Sequence, residues 1–464
     1  MIAIASLMAY ALYFFIIAFI GYSAYRSNQK SGDYTLGNRS LNYWVTALAA
    51  NASDMSGWLF MAFPAMIYTQ GLIHVWTAIG LTGFMLANWI LVAPKLRTMT
   101  EYHGSATLSS FFEKRFNDKS GTLRLISAIA SLIFLTVYIS ANLAALGHLF
   151  ESIFGMGYLI SICVGSLVVF YTLLGGYTSI AWIDCFQGIF LLGAIILVPW
   201  VAIKSLGGIS GVLAHAQNAG AYNFMPNSMS DVIGRLLIAA SWGLGYFGQP
   251  HIVTKFMGID DAANLKKARW VGFGWQVLAL SAAVMVGLTA YAFFLPGSVA
   301  NSELIFVHMT KALFHPFIAG LILCAIIASA LNVTGAQVLA SASVLAEDFF
   351  KHWLHARKHL IPTLSRLCVI GICILALAIA YANEHTALGA LVHYAWSGLG
   401  ASFSALMLVA LHTRMKSKVA AIAGVTVGAL VGGLWPLLGS SIPALVAGFF
   451  ASLAAMGLLN LFRK

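Results

Sequence analysis

Residues 52–58 read Ala52-Ser-Asp-Met-Ser-Gly-Trp58, which sets an acid, Asp54, inside a long apolar stretch. Residues 43–50 before it and 59–68 after it carry no charge. A carboxylate near the centre of a bilayer costs roughly 2.5–3.5 kcal/mol on insertion scales. Such a residue is retained where it faces a cavity, a cation or a substrate amine. Its neighbours Asn51, Ala52, Ser53, Ser56 and Gly57 are small or polar. That composition suits a helix that unwinds at mid-membrane and offers backbone oxygens to a ligand. A helix cap, or a partner for a distant arginine, is the plainer role for Asp54. Ser56 beside it is either a ligand hydroxyl or a helix-packing residue.

The rest of the chain puts Asp54 in a membrane. Hydrophobic residues make up 60% of the 464 and charged residues 8%, against about 45–50% and 25% in soluble domains. Apolar runs of helical length recur near 5–25, 43–70, 72–94, 125–149, 156–178, 181–203, 232–253, 270–295, 312–346, 367–382, 386–411, 419–437 and 441–461. The expected fold is therefore an all-α polytopic membrane protein of about 13 helices, one transmembrane domain over 1–464. Residues 5–25 lack a basic leader and are followed by Arg26 and Lys30, so they read as an uncleaved first helix.

The net charge of +11 is explained by topology. Threaded alternately through these spans, all 25 Lys and Arg except Lys204, Arg235 and Lys311 fall on one side. The positive-inside rule makes that side cytoplasmic, which places the N-terminus outside and the C-terminus inside a cell (inner or plasma) membrane. The partner implied by the basic surface is anionic lipid, not nucleic acid. Cys163, Cys185, Cys324, Cys368 and Cys373 all lie in apolar runs and read as buried thiols. The chain has no P-loop, Gly-x-Ser-x-Gly elbow or His-Glu-x-x-His pair, so neither an enzyme nor an ATP-driven pump is expected. No cofactor and no obligate protein partner is implied. Transport would run on an ion gradient or be passive.

A second helix reads as broken. Ser241-Trp-Gly-Leu-Gly-Tyr-Phe-Gly-Gln-Pro-His251 places Gly243, Gly245, Gly248 and Pro250 within one span. The glycines loosen the backbone and the proline removes a donor. Interrupted helices in corresponding places of two halves point to an inverted repeat with its site at mid-membrane. The breaks fall in spans two and seven. That spacing gives five plus five helices, 43–205 and 229–413, preceded by 1–42 and followed by 414–464. Trp242, Tyr246, Phe247 and Gln249 crowd the second break, either as aromatic packing or as walls of a cavity for a small amphiphile.

Other polar groups fall inside spans. Asp184, expected at the cytoplasmic start of the sixth, either guides cations along the inner path or caps the helix. Tyr138 and Ser140 lie mid-span in the fourth, as ligand groups or as packing. Ser329, Asn332, Thr334 and Gln337 share the ninth and present oxygens to a cation or to a neighbouring helix. Glu347 and Asp348 close that span and are expected at the water interface. His352, His355 and His359 sit among Lys351, Arg357 and Lys358 and read as a solvated basic face, not a metal site. Gly424, Gly428 and Gly432 form a helix-packing stripe.

The runs around both breaks, Gly71 with Trp76-Thr-Ala-Ile-Gly80, Leu149-Phe-Glu-Ser-Ile-Phe-Gly-Met156, Glu347-Asp348 and Tyr394-Ala-Trp-Ser-Gly-Leu-Gly400 together resemble the sodium:solute symporter family over nearly the whole chain. The resemblance implies a LeuT-type inverted repeat and a symporter that imports proline, or a closely related small amino acid, by alternating access. It implies a sodium site from the carbonyls of Ala52, Met55 and Ser329 and two hydroxyls one turn later. Those two positions, Ser then Thr in the family, are Asn332 and Val333 here. Asn supplies an oxygen and Val none, so this set lacks one ligand. Asp54 is implied to support cation binding and coupling, and Asp184 to help cation release. The substrate site would involve Ser56, Tyr138, Trp242 and Tyr246, with Gln249 and Pro250 shaping the break. Ala62 replaces a family glycine beside that cavity. Three readings remain open at this point: cation-coupled uptake driven by sodium, proton-coupled or weakly coupled uptake of the same substrates, and a non-transporting membrane sensor.

Overall fold

The computed structural model describes residues 2–27, 39–172, 176–294, 298–354, 356–357 and 359–461. Lys30, His355, Lys358, Arg463, Lys464 and short parts of the fifth and eighth expected spans lie outside them. Every regular element among the described residues is helical. They are α1 (Ile2–Ser27), α2 (Tyr43–Ala52), α3 (Ala62–Gln70), α4 (Val75–Ala87), α5 (Ala93–Tyr102), α6 (Leu108–Arg115), α7 (Thr122–Phe154), α8 (Tyr158–Thr172), α9 (Gly176–Ser205), α10 (Ile209–Asn218), α11 (Met229–Gly243), α12 (Pro250–Met257), α13 (Leu265–Phe293), α14 (Ile305–Leu313), α15 (Pro316–Ser343), α16 (Ile361–Ala382), α17 (Leu388–His412), α18 (Lys418–Leu434) and α19 (Ala444–Leu461). Ten helical stretches among the described residues are long and apolar enough to cross a membrane. Two further apolar stretches are each split: α2 from α3, and α11 from α12.

The first split follows from local chemistry. Asn42 starts α2 by accepting the Val45 amide at 2.9 Å. After Ala52 the amides of Ser53, Asp54, Met55 and Ser56 turn to Ala49, Asn51, Asn51 and Asp54 oxygens. Ser56 then takes an extended conformation, and its hydroxyl accepts the Trp58 amide at 3.2 Å. A short-chain polar residue that competes for backbone bonds in this way disfavours continued helix. At the second split, Leu244–Gly248 tighten into a 3-10 turn, and Gln249 is extended before α12 restarts with Pro250 in its first turn.

The inner helices are those whose surface disappears: α7, α15 and α17 are mostly buried, whereas α1, α16 and α18 keep broad exposed apolar faces. That pattern is the one expected of a bundle whose outer ring faces lipid. Small residues set the closest approaches. A Cβ at Gly428 would strike the Ala401 carbonyl, and one at Gly424 would meet Met456, so the stripe on α18 packs against α17 and α19.

The end of α15 departs from expectation. Asp348 is not at the water interface but 1% exposed, 2.6 Å from Arg124 Nε, and accepts the Thr107 hydroxyl at 3.0 Å. A π-helical stretch, Val344–Trp353, continues α15 and turns Asp348 inward toward α6 and α7. Glu347 alone faces outward, paired with Lys351 at 2.8 Å. Arg124 also contacts Glu113 at 3.0 Å, and His352 reaches the other Glu113 oxygen at 3.0 Å.

Candidate substrate and cation site

The two breaks face each other across the centre of the bundle. Asp54 is 6% exposed, and the Tyr246 hydroxyl donates to its Oδ2 at 2.5 Å. The Tyr246 oxygen in turn accepts from Gln276 Nε2 of α13 at 2.8 Å. A buried carboxylate is held by charge-assisted hydrogen bonding of this kind. Around the pair lies a small, nearly filled cavity of about 10 Å³, lined by Asp54, Met55, Ser56, Trp58, Leu81, Tyr138, Trp242, Tyr246, Val392 and Trp396. That is room for about one water molecule, so the lining side chains are closed together here. Its walls are ring faces, and its polar groups are one carboxylate and a few hydroxyls. A small amphiphile with a compact apolar body matches that lining.

The aromatic wall is a connected set. Trp58 and Trp242 lie 4.9 Å apart, and Trp396 stands edge-on to Tyr246 at 5.2 Å. Trp396 Nε1 donates to the Trp242 carbonyl at 2.7 Å, and Gln249 Nε2 donates to the Trp396 carbonyl at 3.0 Å. The glycines of the second break make this approach possible. A Cβ on Gly245 would run into the Trp396 indole, and one on Gly248 would meet Ser404 at 2.5 Å. Gly245→Ala is therefore expected to lower stability by about 1–3 kcal/mol through overpacking. It should also reduce substrate affinity, read by thermal unfolding and ligand binding on the same sample; an unchanged pair of values would contradict this packing.

Of the expected substrate residues, Ser56, Tyr138, Trp242 and Tyr246 line this cavity, and Gln249 and Pro250 do not. Gln249 braces Trp396. Pro250 lines a separate inner cleft of about 30 Å³ with His251, Lys255 and α15 residues Ala336, Leu339 and Ala340. Ser140 spends its hydroxyl on the Val137 carbonyl at 2.6 Å and acts within its own helix.

The cation candidates lie below Asp54. None of the amide bonds that close the first turn ends on the carbonyls of Ala52 or Met55. The helix α15 packs against this turn. On α15 the Ser329 hydroxyl is committed to Ile326 at 2.8 Å. Asn332 Oδ1 and Nδ2 and Thr334 Oγ1 are buried with no hydrogen-bond partner among the described residues. Unpartnered buried oxygens are costly and point to a bound ion or water. Val333 is fully buried and contributes no oxygen. Carbonyl and amide oxygens are of the kind a hard cation takes, and Val333 offers none.

Asp184 lies well inside α9 and does not cap it. It is 1% exposed and accepts from Lys255 Nζ at 2.8 Å and from Ser53 Oγ at 3.3 Å. Lys255, counted among the cytoplasmic charges on sequence, is itself 1% exposed. Sequence reasoning also missed Trp58, Trp396 and Gln276 as site residues. Trp396 directly precedes a Ser-Gly-Leu-Gly run, 397–400, a close-packing signature like that of the second break. Gln276 and Lys255 had no local signal, because each matters only through a partner far away in sequence.

Residues 34–428 match the model of the sodium:solute symporter family. The high-affinity proline transporter PutP of Bacillus subtilis (strain 168) is 40% identical over 453 residues, which cover 96% of this chain and 95% of that protein. The sodium/proline symporter of Escherichia coli (strain K12) is 38% identical over 444 residues, 93% of this chain and 88% of that one. Among solved structures, a substrate-bound, outward-open Na+-coupled sialic acid symporter superposes with a TM-score of 0.81 at 18% identity, covering 100% of this chain and 98% of that one. MhsT in complex with L-phenylalanine gives 0.57 at 17% identity, covering 90% and 97%. At these identities the structural likeness speaks for the fold alone.

Proposed function

The chain belongs to the sodium:solute symporter family, and on that premise we propose that it is a secondary active symporter that imports proline, or a closely related small amino acid, together with sodium. The observation that carries this reading is the cavity at the facing breaks, where the Tyr246 hydroxyl and the Asp54 carboxylate join the two halves. Ser56, Tyr138, Trp242 and Tyr246 hold the substrate, with Trp58 and Trp396 completing the apolar wall. A compact ring fits against indole faces, while its charged ends meet hydroxyls and turn backbone. Gln249 and Pro250 keep the second break open. The coupling cation takes the carbonyls of Ala52, Met55 and Ser329 and the Asn332 amide oxygen. Asp54 supplies the nearby charge, and Asp184 lies toward the inner cleft as a release point.

The ten long stretches, the two split spans and α8 make thirteen crossings. Two five-helix repeats, 43–205 and 229–413, follow 1–42 and precede 414–464. The N-terminus lies outside and the C-terminus in the cytoplasm. Alternating access then consists of one repeat rocking against the other around the central site. The Asp54–Tyr246 bond crosses that boundary. Binding energy at the site is therefore available to bias the motion.

One observation favours a second driver. Val333 removes an oxygen from the cation set, and Asp54 could then carry a proton instead. Val333→Thr is nearly isosteric and restores a hydroxyl. Under the sodium reading it raises apparent sodium affinity about tenfold, the equivalent of one added ligand oxygen. Uptake measured against sodium concentration checks this, and an unmoved midpoint counts against a sodium site at Val333. The substrate is tested by binding labelled proline to purified protein with unlabelled amino acids as competitors. Proline should displace best. Displacement by a bulky aromatic amino acid in preference to proline would overturn the substrate assignment.

A further inference from the structure

Lys255 lies on α12, just past the second break, and its ammonium is 2.8 Å from Asp184 Oδ2. The same oxygen accepts from Ser53, the residue after Ala52 in the first turn. Lys255 also lines the inner cleft opposite Ala336, one helical turn beyond Asn332 on α15. The ion pair therefore links the first turn, through Ser53, to a residue that lines the cleft. Both side chains are 1% exposed.

A carboxylate buried this deeply needs a positive partner. A mobile sodium can fill that role, or a fixed side chain can. Here the ammonium already does. A sodium ion approaching Asp184 meets a neutral pair, with a like charge at contact distance, and gains nothing by staying. Resting on the symport reading above, we propose that Lys255 is a tethered cation that occupies Asp184 in place of a second sodium and so fixes the sodium count at one per substrate. The position of the tether adds to this. It moves with the segment after the second break, whereas Asp184 belongs to α9 and Ser53 to the first turn. The pair thus holds both halves together on the cytoplasmic side without needing a second ion.

The experiment compares sodium dependence in proteoliposomes for wild type, Lys255→Met and Lys255→Arg. Proline carries no net charge, so charge moved per proline reports the cation count. Wild type and Lys255→Arg should give a Hill coefficient of about one and one charge per proline. Lys255→Met leaves Asp184 uncompensated, so a second sodium should bind, with the Hill coefficient and the charge per proline both rising toward two. Lys255→Met with wild-type values of both overturns the proposal. If Lys255→Met does not fold, Asp184→Asn and the double variant decide. Asp184→Asn leaves an unopposed ammonium and should lower sodium affinity about tenfold, while Lys255→Met with Asp184→Asn should restore it. No restoration overturns the tether. Equilibrium binding of radiolabelled sodium to purified protein reads the same count without transport. A wild type that fails to transport proline would therefore indict the symport reading and leave the tether separately testable.

Discussion

Asp54→Asn is expected to abolish concentrative proline uptake, lowering the sodium-driven initial rate about a hundredfold or more, which corresponds to losing one charge-assisted interaction in a dry site. The substitution keeps size and shape. The Tyr246 hydroxyl can still donate to an amide oxygen, so the bond across the two breaks persists. What disappears is the negative charge beside the carbonyls of Ala52 and Met55. A site built from neutral oxygens then has to hold sodium unaided, and the loss should appear in sodium affinity before proline affinity. Uptake in proteoliposomes with a thermal unfolding control separates this from misfolding. A folded Asp54→Asn protein that still accumulates proline like wild type would contradict the coupling role.

The second large effect lies away from the site. Arg124→Ala is expected to cost about 3–5 kcal/mol, because it strands buried carboxylates. Arg124 bonds Asp348 at 2.6 Å, Glu113 at 3.0 Å and the Glu347 carbonyl at 3.1 Å. It thereby ties α6 and α7 to the end of α15. Asp348→Asn in the same chain should recover part of the loss, since the stranded charge and not the missing contact carries most of the cost. Thermal midpoints of the detergent-solubilised protein check both. A single variant with a wild-type midpoint would mean that water already reaches this cluster.

How far the sequence could be read depended on whether a signal was local. Both breaks were legible because each is written in adjacent residues: Asn51 to Gly57 in one, and three glycines with Pro250 in the other. Tyr138, Trp242, Tyr246 and Ser56 were legible as candidates for the same reason, and the structure places them around one cavity. The bond between Tyr246 and Asp54 was not legible, since it joins residues 192 apart. The burial of Lys255 and Arg124 was not legible. The positive-inside pattern assigns a basic residue to a side of the membrane but says nothing of depth, and both side chains turn inward to buried acids. Asp348 was misread because a regular helix would carry it to the surface, whereas the π-helical stretch after Ser343 rotates it inward. Gln249 and Pro250 were assigned to the substrate because they belong to the break. Neither lines the cavity of Asp54 and Tyr246: Gln249 braces Trp396 and Pro250 lines the inner cleft.

The central claim is that a sodium gradient drives proline through the cavity between the two breaks. Labelled-proline uptake into proteoliposomes, with sodium and proton gradients imposed separately, tests it most directly. Concentrative uptake is expected with an inward sodium gradient at equal pH on both sides, and none with a proton gradient in sodium-free buffer. Accumulation driven by the proton gradient alone, with sodium without effect, would contradict it.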